Sequence, residues 1–206
     1  MSVQNKNSQR IRYITVTGML SALSAVLMMI SFSVPFMPSF IKLDFSEMPA
    51  LIAAFSMGPL SGVTVCLIKN LINVCFTTTG GVGELANFLL GCCLVIPAGV
   101  LYNYRKNRKM ALIGSLLGAA TMALASLPMN YFVTYPIYGK LFFPLEAIIE
   151  DYQKIIPSVD GLFWCLLVFN VPFTCLKGGL DAAITFLVYK HVSPLIHGRK
   201  SGVTAE

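Results

Sequence analysis

The sequence contains few charged residues. Only 12% of its 206 residues are charged, whereas 56% are hydrophobic. A soluble domain of this length cannot bury so many apolar side chains, so lipid must cover the remainder. The composition therefore predicts an all-α, polytopic integral membrane protein.

Several signatures of catalysis are absent. No G-x-x-x-x-G-K-[ST] phosphate loop occurs, which excludes ATP as the direct substrate of this chain. H-E-x-x-H, G-x-S-x-G and a carboxylate cluster suited to phosphotransfer are also absent. The six cysteines lie in apolar segments without C-x-x-C spacing, and neither histidine has an acidic or cysteine partner nearby. We therefore predict no enzyme activity, no catalytic residue, no metal site and no cofactor.

Apolar segments long enough to cross roughly 30 Å of hydrocarbon follow one another along the chain. The first is too long for the apolar core of a signal peptide, so we expect it to be retained. Gly58-Pro59 divides another into two helices, the first of them short. No internal repeat is evident, which argues against two related halves. We predict one membrane domain, 1–206, with six helices at about 11–34, 47–57, 60–76, 84–104, 110–135 and 161–190.

The basic residues are concentrated on one side of this predicted arrangement. Ten of the fifteen lysines and arginines lie at the N-terminus, in the loop between the fourth and fifth spans, and at the C-terminus. The positive-inside rule makes that side, and hence both termini, cytoplasmic. The net charge of +6 therefore reflects the concentration of basic residues on the cytoplasmic side of the membrane, and we predict no nucleic-acid partner.

Polar residues inside the predicted spans are informative because each is costly to place in hydrocarbon. Asn170, Thr174, Lys177 and Asp181 lie at i, i+4, i+7 and i+11, on one stripe of the last helix. Two interpretations stay open. Either Lys177 and Asp181 neutralise each other while the others bond to neighbouring helices, or the stripe binds a polar ligand with Lys177 as its main donor.

Two further polar clusters lie near the predicted outer ends of the spans. The amide of Asn130 can read both donors and acceptors on a flat heterocycle. Tyr131 contacts a ligand or belongs to an interfacial aromatic belt. Glu84 and Asn87 follow a glycine-rich segment, where the alternative is a simple turn with Glu84 in the first helical turn.

The loop 35–46 follows the first predicted span. Two prolines stiffen it, and Phe40 and Phe45 make it too apolar for a merely solvated connector. Ser46 is placed to cap the next helix. We predict that this loop covers an outward-facing pocket.

Five stretches of sequence occur in a distinctive order over nearly the whole chain. They are KLDFSEMP at 42–49, KN at 69–70, TGGVGELAN at 79–87, MNYF at 129–132 with YPIY at 135–138, and KG at 177–178. Together they resemble the riboflavin-specific S components of the energy-coupling factor (ECF) transporters.

The resemblance implies a bundle of six helices that encloses riboflavin near the outer surface, under the loop after the first helix. It implies that Asn130 and Lys177 hold the flavin ring and that Leu43 belongs to the ligand-binding set. Thr174 stands where an asparagine is expected, and Asn170, one turn earlier, is the residue that would compensate.

The resemblance also implies partners. In that family a separate transmembrane coupling subunit and two ABC-type ATPases drive transport. Gly18, Ala22 and Ala25 resemble the face of small residues that docks on the coupling subunit. Two other functions stay open, namely an S component for a different vitamin and a ligand-free membrane scaffold or small channel.

Overall fold

The structure is a computed structural model that describes residues 3–38, 41–77, 80–142 and 144–197. Helices dominate this part of the chain. Two five-residue π-helical segments, Asn130–Thr134 and Leu166–Asn170, join α5 to α6 and α8 to α9. The elements in chain order are α1 (Val3–Met29), β1 (Phe32–Ser33), β2 (Lys42–Leu43), α2 (Glu47–Met57), α3 (Pro59–Val74), α4 (Val82–Tyr104), α5 (Arg108–Met129), α6 (Tyr135–Leu141), α7 (Leu145–Gln153), α8 (Leu162–Cys165) and α9 (Val171–His197).

The helices support the predicted all-α membrane class. Four of them are long and apolar enough to cross a membrane, and α2 and α3 are shorter apolar helices. The π-helical segments connect α5 to α6 and α8 to α9 without a break, so each pair forms one continuous helix. The four long stretches are Arg10–Met29, Val82–Tyr104, Arg108–Leu141 and Leu162–Val188.

The predicted count of six helices is not confirmed, because the described residues form seven continuous helices. The additional one is α7, which has only nine residues and carries Glu146 and Glu150. Its buried side chains, Ile148 and Tyr152, lie on one face. A short amphipathic helix of this kind is invisible to a search for apolar spans of about 20 residues.

The boundary between α2 and α3 depends on Gly58. Its φ of +104° is a conformation that side-chain-bearing residues rarely adopt, and Pro59 then begins α3. The two helices pack closely, because a Cβ added to Gly62 would lie 2.9 Å from the carbonyl oxygen of Ala50. The sequence interpretation of two helices at this point agrees with the observed break.

The segment between α1 and α2 forms a small antiparallel hairpin in which Phe32 pairs with Leu43. Ser46 does not cap α2 as predicted, because its side chain makes no capping hydrogen bond. Instead, Asp44 Oδ1 accepts hydrogen bonds from the Ser46 backbone nitrogen at 3.0 Å and from Ser46 Oγ at 2.5 Å. The hydroxyl of Ser24 also donates to the carbonyl of Ser46, which fixes the hairpin on α1.

Two buried hydrophobic clusters hold the helices together. The first includes Leu51 and Val65 and joins α1, α2, α3, α4, α5 and α9. The second includes Ile148 and joins β2, α6, α7 and the start of the last continuous helix. Met122 of the first cluster and Tyr135 of the second line the same cavity. The candidate site therefore lies where the two clusters meet.

Candidate ligand-binding site

A cavity of about 650 Å³ is bounded by the hairpin segment, the α3–α4 connection, the α5–α6 helix and α9. Its walls are partly apolar and carry a few polar groups, as in most small-molecule sites. Five residues predicted from three separate parts of the sequence line it together, namely Glu84, Asn87, Asn130, Thr174 and Lys177. Their apolar surroundings include Met28, Ile41, Leu90, Met122 and Phe173.

Lys177 makes an ion pair with Asp44 in this cavity. Lys177 Nζ lies 2.7 Å from Asp44 Oδ2, and both side chains are less than one tenth exposed. Burial raises the pKa of the Asp44 carboxyl, but the charges of Lys177 and Lys69 and hydrogen bonds from Lys177 and Ser46 outweigh it. The pKa falls to about 2, so this carboxylate is ionised at neutral pH.

A second buried ion pair adjoins the first. Lys69 Nζ donates to Glu47 Oε1 at 2.6 Å and to Ser46 Oγ at 2.7 Å, and the Lys69 and Glu47 side chains are fully buried. A Cβ added to Gly91 would lie 2.9 Å from Glu47 Oε2, so α4 leaves just enough room for this carboxylate. Glu47 and Lys69 are not among the site residues predicted from the sequence. A lysine inside an apolar span was the signal that could have found them.

Another part of the cavity wall is built by the end of α3 and the start of α4. Glu84 lies in the first turn of α4, after Gly81 in a left-handed conformation. Asn73 Nδ2 donates to Glu84 Oε1 at 3.1 Å, and Asn87 Nδ2 lies 3.9 Å from the sulfur of Met28. The two interpretations of this segment are therefore compatible, since the glycine turn places Glu84 in the cavity wall. Asn73, which was not predicted from the sequence, lines the cavity as well.

Asn170 does not line the cavity, and its side-chain amide makes hydrogen bonds to two tyrosines. Tyr152 Oη donates to Asn170 Oδ1 at 2.7 Å, and Asn170 Nδ2 donates to Tyr135 Oη at 3.1 Å. The two tyrosine hydroxyls are 2.6 Å apart, so the three side chains form a closed ring of hydrogen bonds. Asn170 therefore does not compensate for Thr174 at the cavity.

Asp181 is also absent from the cavity wall. It is fully buried, and neither of its carboxylate oxygens has a hydrogen-bond partner among the described residues. Lys177 pairs with Asp44 instead, so the proposed i, i+4 neutralisation of Lys177 by Asp181 is not the arrangement found.

Three aromatic or aliphatic residues predicted as ligand contacts pack against other parts of the chain. Leu43 is buried in the second hydrophobic cluster, and Phe45 packs on Phe32 with ring centroids 5.9 Å apart. Tyr131 packs edge-on against Phe132 and Phe163, which are both exposed. Phe40 lies outside the described residues.

The small residues predicted to form one docking face on α1 differ in their exposure. Gly18 and Ala22 are exposed, and apart from the adjoining residues of α1 no described atom lies within 4 Å of a Cβ added to Gly18. Ala25 is buried at 5% exposure and packs inside the molecule. Ala25 therefore cannot contact a partner in this conformation, whereas Gly18 and Ala22 remain accessible.

The π-helical segments lie next to residues of the cavity. The Tyr135 backbone N–H donates to the carbonyl of Asn130, and that of Val171 donates to the carbonyl of Leu166. Each of these i→i+5 bonds inserts one residue into the helix and rotates the next turn of the helix, a feature frequent at functional sites. Asn130 begins the first segment and lines the cavity.

Comparisons with known proteins agree on one family. The family model described as "ECF transporter, substrate-specific component" matches residues 12–189. The chain is 34% identical to the riboflavin transporter RibU of Staphylococcus aureus (strain TCH60), over 91% of this chain and 93% of the relative. It is 29% identical to the riboflavin transporter FmnP of Bacillus subtilis (strain 168), over 93% and 97%. A solved structure described as "Structure and mechanism of the S component of a bacterial ECF transporter" matches with a TM-score of 0.71 and 31% identity, over 91% of this chain and 98% of that one.

Proposed function

Because this chain belongs to the family of ECF transporter substrate-specific components, we propose that it captures riboflavin outside the cell and delivers it inward. As a member of that family it is a transport subunit rather than an enzyme, and a multi-pass protein of the bacterial cell membrane. It functions with other ECF transporter components. The family resemblance in the sequence agrees with these comparisons.

The observation that carries the proposal is the cavity that gathers Lys177, Thr174 and Asn130 around apolar walls. Riboflavin has an amphipathic tricyclic ring and a hydroxyl-rich tail. Apolar walls with a few directed polar groups suit such a molecule, and about 650 Å³ is within the usual range for a small-molecule pocket. Relatives that cover nearly the whole chain are named riboflavin transporters.

In the proposed complex, Asn130, Thr174 and Lys177 hold the flavin ring. Asn130 offers a donor and an acceptor, Thr174 a hydroxyl and Lys177 a cationic donor. Glu84 and Asn87, which face the same cavity from α4, offer partners for the hydroxyl groups of the tail.

We further propose that α1, α2, α3, α4, the α5–α6 helix and the α8–α9 helix are the six spans, with both termini cytoplasmic. The basic residues at 105–109, between α4 and α5, support this orientation. The loop 35–46 then lies outside and covers the cavity, and the Asp44–Lys177 pair fastens its end to α9. A transmembrane coupling subunit and two ABC-type ATPases complete the importer, with Gly18 and Ala22 on the docking face.

Flavin binding by the purified protein tests the proposal directly. Riboflavin fluorescence is expected to be quenched on binding, and Asn130→Ala and Lys177→Ala are expected to weaken that binding at least tenfold, because each removes a hydrogen bond in a buried site. Lys154→Ala is the matched control. Lys154 is exposed and pairs with Asp151 at 2.7 Å.

The same titration separates the other candidate functions. Tight binding of another vitamin without binding of riboflavin would identify an S component of different specificity. A protein that quenches no flavin and binds no vitamin would be a scaffold or channel. Either result would overturn the proposal.

A further inference from the structure

We propose that Tyr152, on α7, is a positioning residue for the bound flavin, although it does not line the cavity. It acts through Tyr135, which lines the cavity, and through Asn170, one turn before Thr174. This inference rests on the proposed riboflavin site and assigns a role in binding to α7.

The ring of hydrogen bonds between these three residues has one consistent direction. Tyr152 donates to Asn170 Oδ1 at 2.7 Å, and Asn170 Nδ2 donates to Tyr135 Oη at 3.1 Å. A tyrosine hydroxyl carries a single proton. Because Tyr152 uses its proton on Asn170, Tyr135 must be the donor in the 2.6 Å contact between the hydroxyls.

This direction determines what Tyr135 presents to the cavity. Its hydroxyl donates to Tyr152 and accepts from Asn170, so both capacities are used away from a ligand. Tyr135 therefore offers the ligand an aromatic surface at a fixed angle. All three side chains are buried, at 4%, 0% and 7% exposure for Tyr135, Tyr152 and Asn170, which makes each of these bonds costly to lose.

The ring also links three helices. Tyr135 directly follows the π-helical segment that begins with the cavity residue Asn130, and Asn170 ends the other π-helical segment. Tyr152 joins both to α7 and packs on Phe169 with ring centroids 5.1 Å apart. Burial raises the pKa of Tyr152, so its hydroxyl keeps the proton that the ring requires.

Tyr152→Phe is the decisive variant, because it keeps the aromatic packing on Phe169 and removes only the hydroxyl. The Tyr135 hydroxyl then loses its acceptor and Asn170 its donor, so the Tyr135 side chain can turn toward the ligand. We expect riboflavin affinity to fall roughly five- to tenfold and the absorption spectrum of the bound flavin to shift.

Gln153→Leu is the matched control on the same helix. Gln153 Nε2 donates to the carbonyl of Val159 at 3.1 Å and takes no part in the ring. Both variants are expected to lower the unfolding temperature, but Gln153→Leu should leave the affinity and the flavin spectrum unchanged. In a Tyr135→Phe background, Tyr152→Phe should weaken binding by a smaller factor than it does alone.

The outcomes are distinguishable. If the unmodified protein binds riboflavin and Tyr152→Phe binds it with the same affinity and spectrum, the positioning role is wrong while the proposed function stands. If the unmodified protein binds no riboflavin, the proposed function and the positioning role are both wrong. Should Tyr152→Phe fail to fold, Asn170→Leu keeps the branched shape of the side chain and breaks the same ring, and the same loss of affinity is expected.

Discussion

Lys177 and Asp44 lie 133 positions apart in the sequence, yet Lys177 Nζ is 2.7 Å from Asp44 Oδ2. The pair joins the last long helix to the segment that enters α2. Ser46 extends it, because its hydroxyl donates to Asp44 and accepts from Lys69, which in turn binds Glu47. Two buried ion pairs thus form one network beside the cavity.

Breaking the Asp44–Lys177 pair from one side should be costly. Asp44→Asn leaves a buried ammonium without its carboxylate, and we expect the free energy of unfolding to fall by about 3 kcal/mol. The double variant Asp44→Asn/Lys177→Met removes both charges and should recover at least half of that loss. Denaturant unfolding measures both, and a double variant less stable than either single variant would contradict the assigned pairing.

The same pair predicts how the protein responds to acid. The pKa of Asp44 is lowered from 3.8 to about 2, so the folded state favours the ionised form. The stabilisation is therefore complete above pH 3.8 and is lost as the pH falls toward 2. Unfolding measured as a function of pH should show this loss of stability in the unmodified protein. The Asp44→Asn variant should lack the part of the loss that comes from protonation of Asp44. Between about pH 5 and 8, riboflavin affinity should not change through Asp44.

Asp181 distinguishes the two sequence-based interpretations of Lys177. If Asp181 neutralised Lys177, Asp181→Asn would destabilise the protein as strongly as Asp44→Asn. In the structure neither carboxyl oxygen of Asp181 has a hydrogen-bond partner among the described residues, so Asp181→Asn breaks no hydrogen bond and should leave stability unchanged or raise it by about 1 kcal/mol. Thermal unfolding of the two variants side by side makes the comparison, and riboflavin affinity should survive in Asp181→Asn.

Gly91 and Gly179 offer a contrast between two helical glycines. A Cβ on Gly91 would lie 2.9 Å from Glu47 Oε2 and 3.1 Å from Cys66 Sγ, whereas a Cβ on Gly179 would meet no described atom within 4 Å apart from the adjoining residues of its own helix. Gly91→Ala should therefore displace Glu47 from Lys69 and destabilise the protein by about 1–3 kcal/mol. Gly179→Ala should stabilise it by about 0.5–1 kcal/mol, because alanine favours a helix. Equal effects in a thermal unfolding assay would contradict the close packing at Gly91.

Much of the cavity was predictable from sequence because polar groups in apolar helices are costly and must find partners or ligands. That rule selected Glu84, Asn87, Asn130, Thr174 and Lys177, which the structure brings to one cavity. The rule does not say which partner each group finds.

The errors have a common cause in long-range packing. Lys177 has Asp181 one turn away in sequence, but Asp44 reaches it from a distant segment. Asn170 shares the stripe of Lys177, but Tyr152 of α7 binds its amide. Since α7 is short and charged, it was not predicted, and neither was the ring that depends on it. Helical spacing predicts which residues share one face of a helix, but it does not predict which side chains or ligand will contact that face.

The exposed part of the α1 face gives a prediction that separates binding from transport. Gly18 and Ala22 are exposed, and a Cβ on Gly18 would have no described neighbour within 4 Å apart from the adjoining residues of its own helix. Gly18→Leu should therefore leave folding and riboflavin affinity unchanged, while it blocks close approach of another helix. Riboflavin uptake by cells and co-purification of the coupling subunit should both fall at least tenfold. Met19→Leu, a similar-sized exchange at an exposed neighbouring position, is the control and should retain both. Normal uptake by Gly18→Leu would show that the coupling subunit docks elsewhere, whereas lost riboflavin binding would show that this face serves the cavity itself.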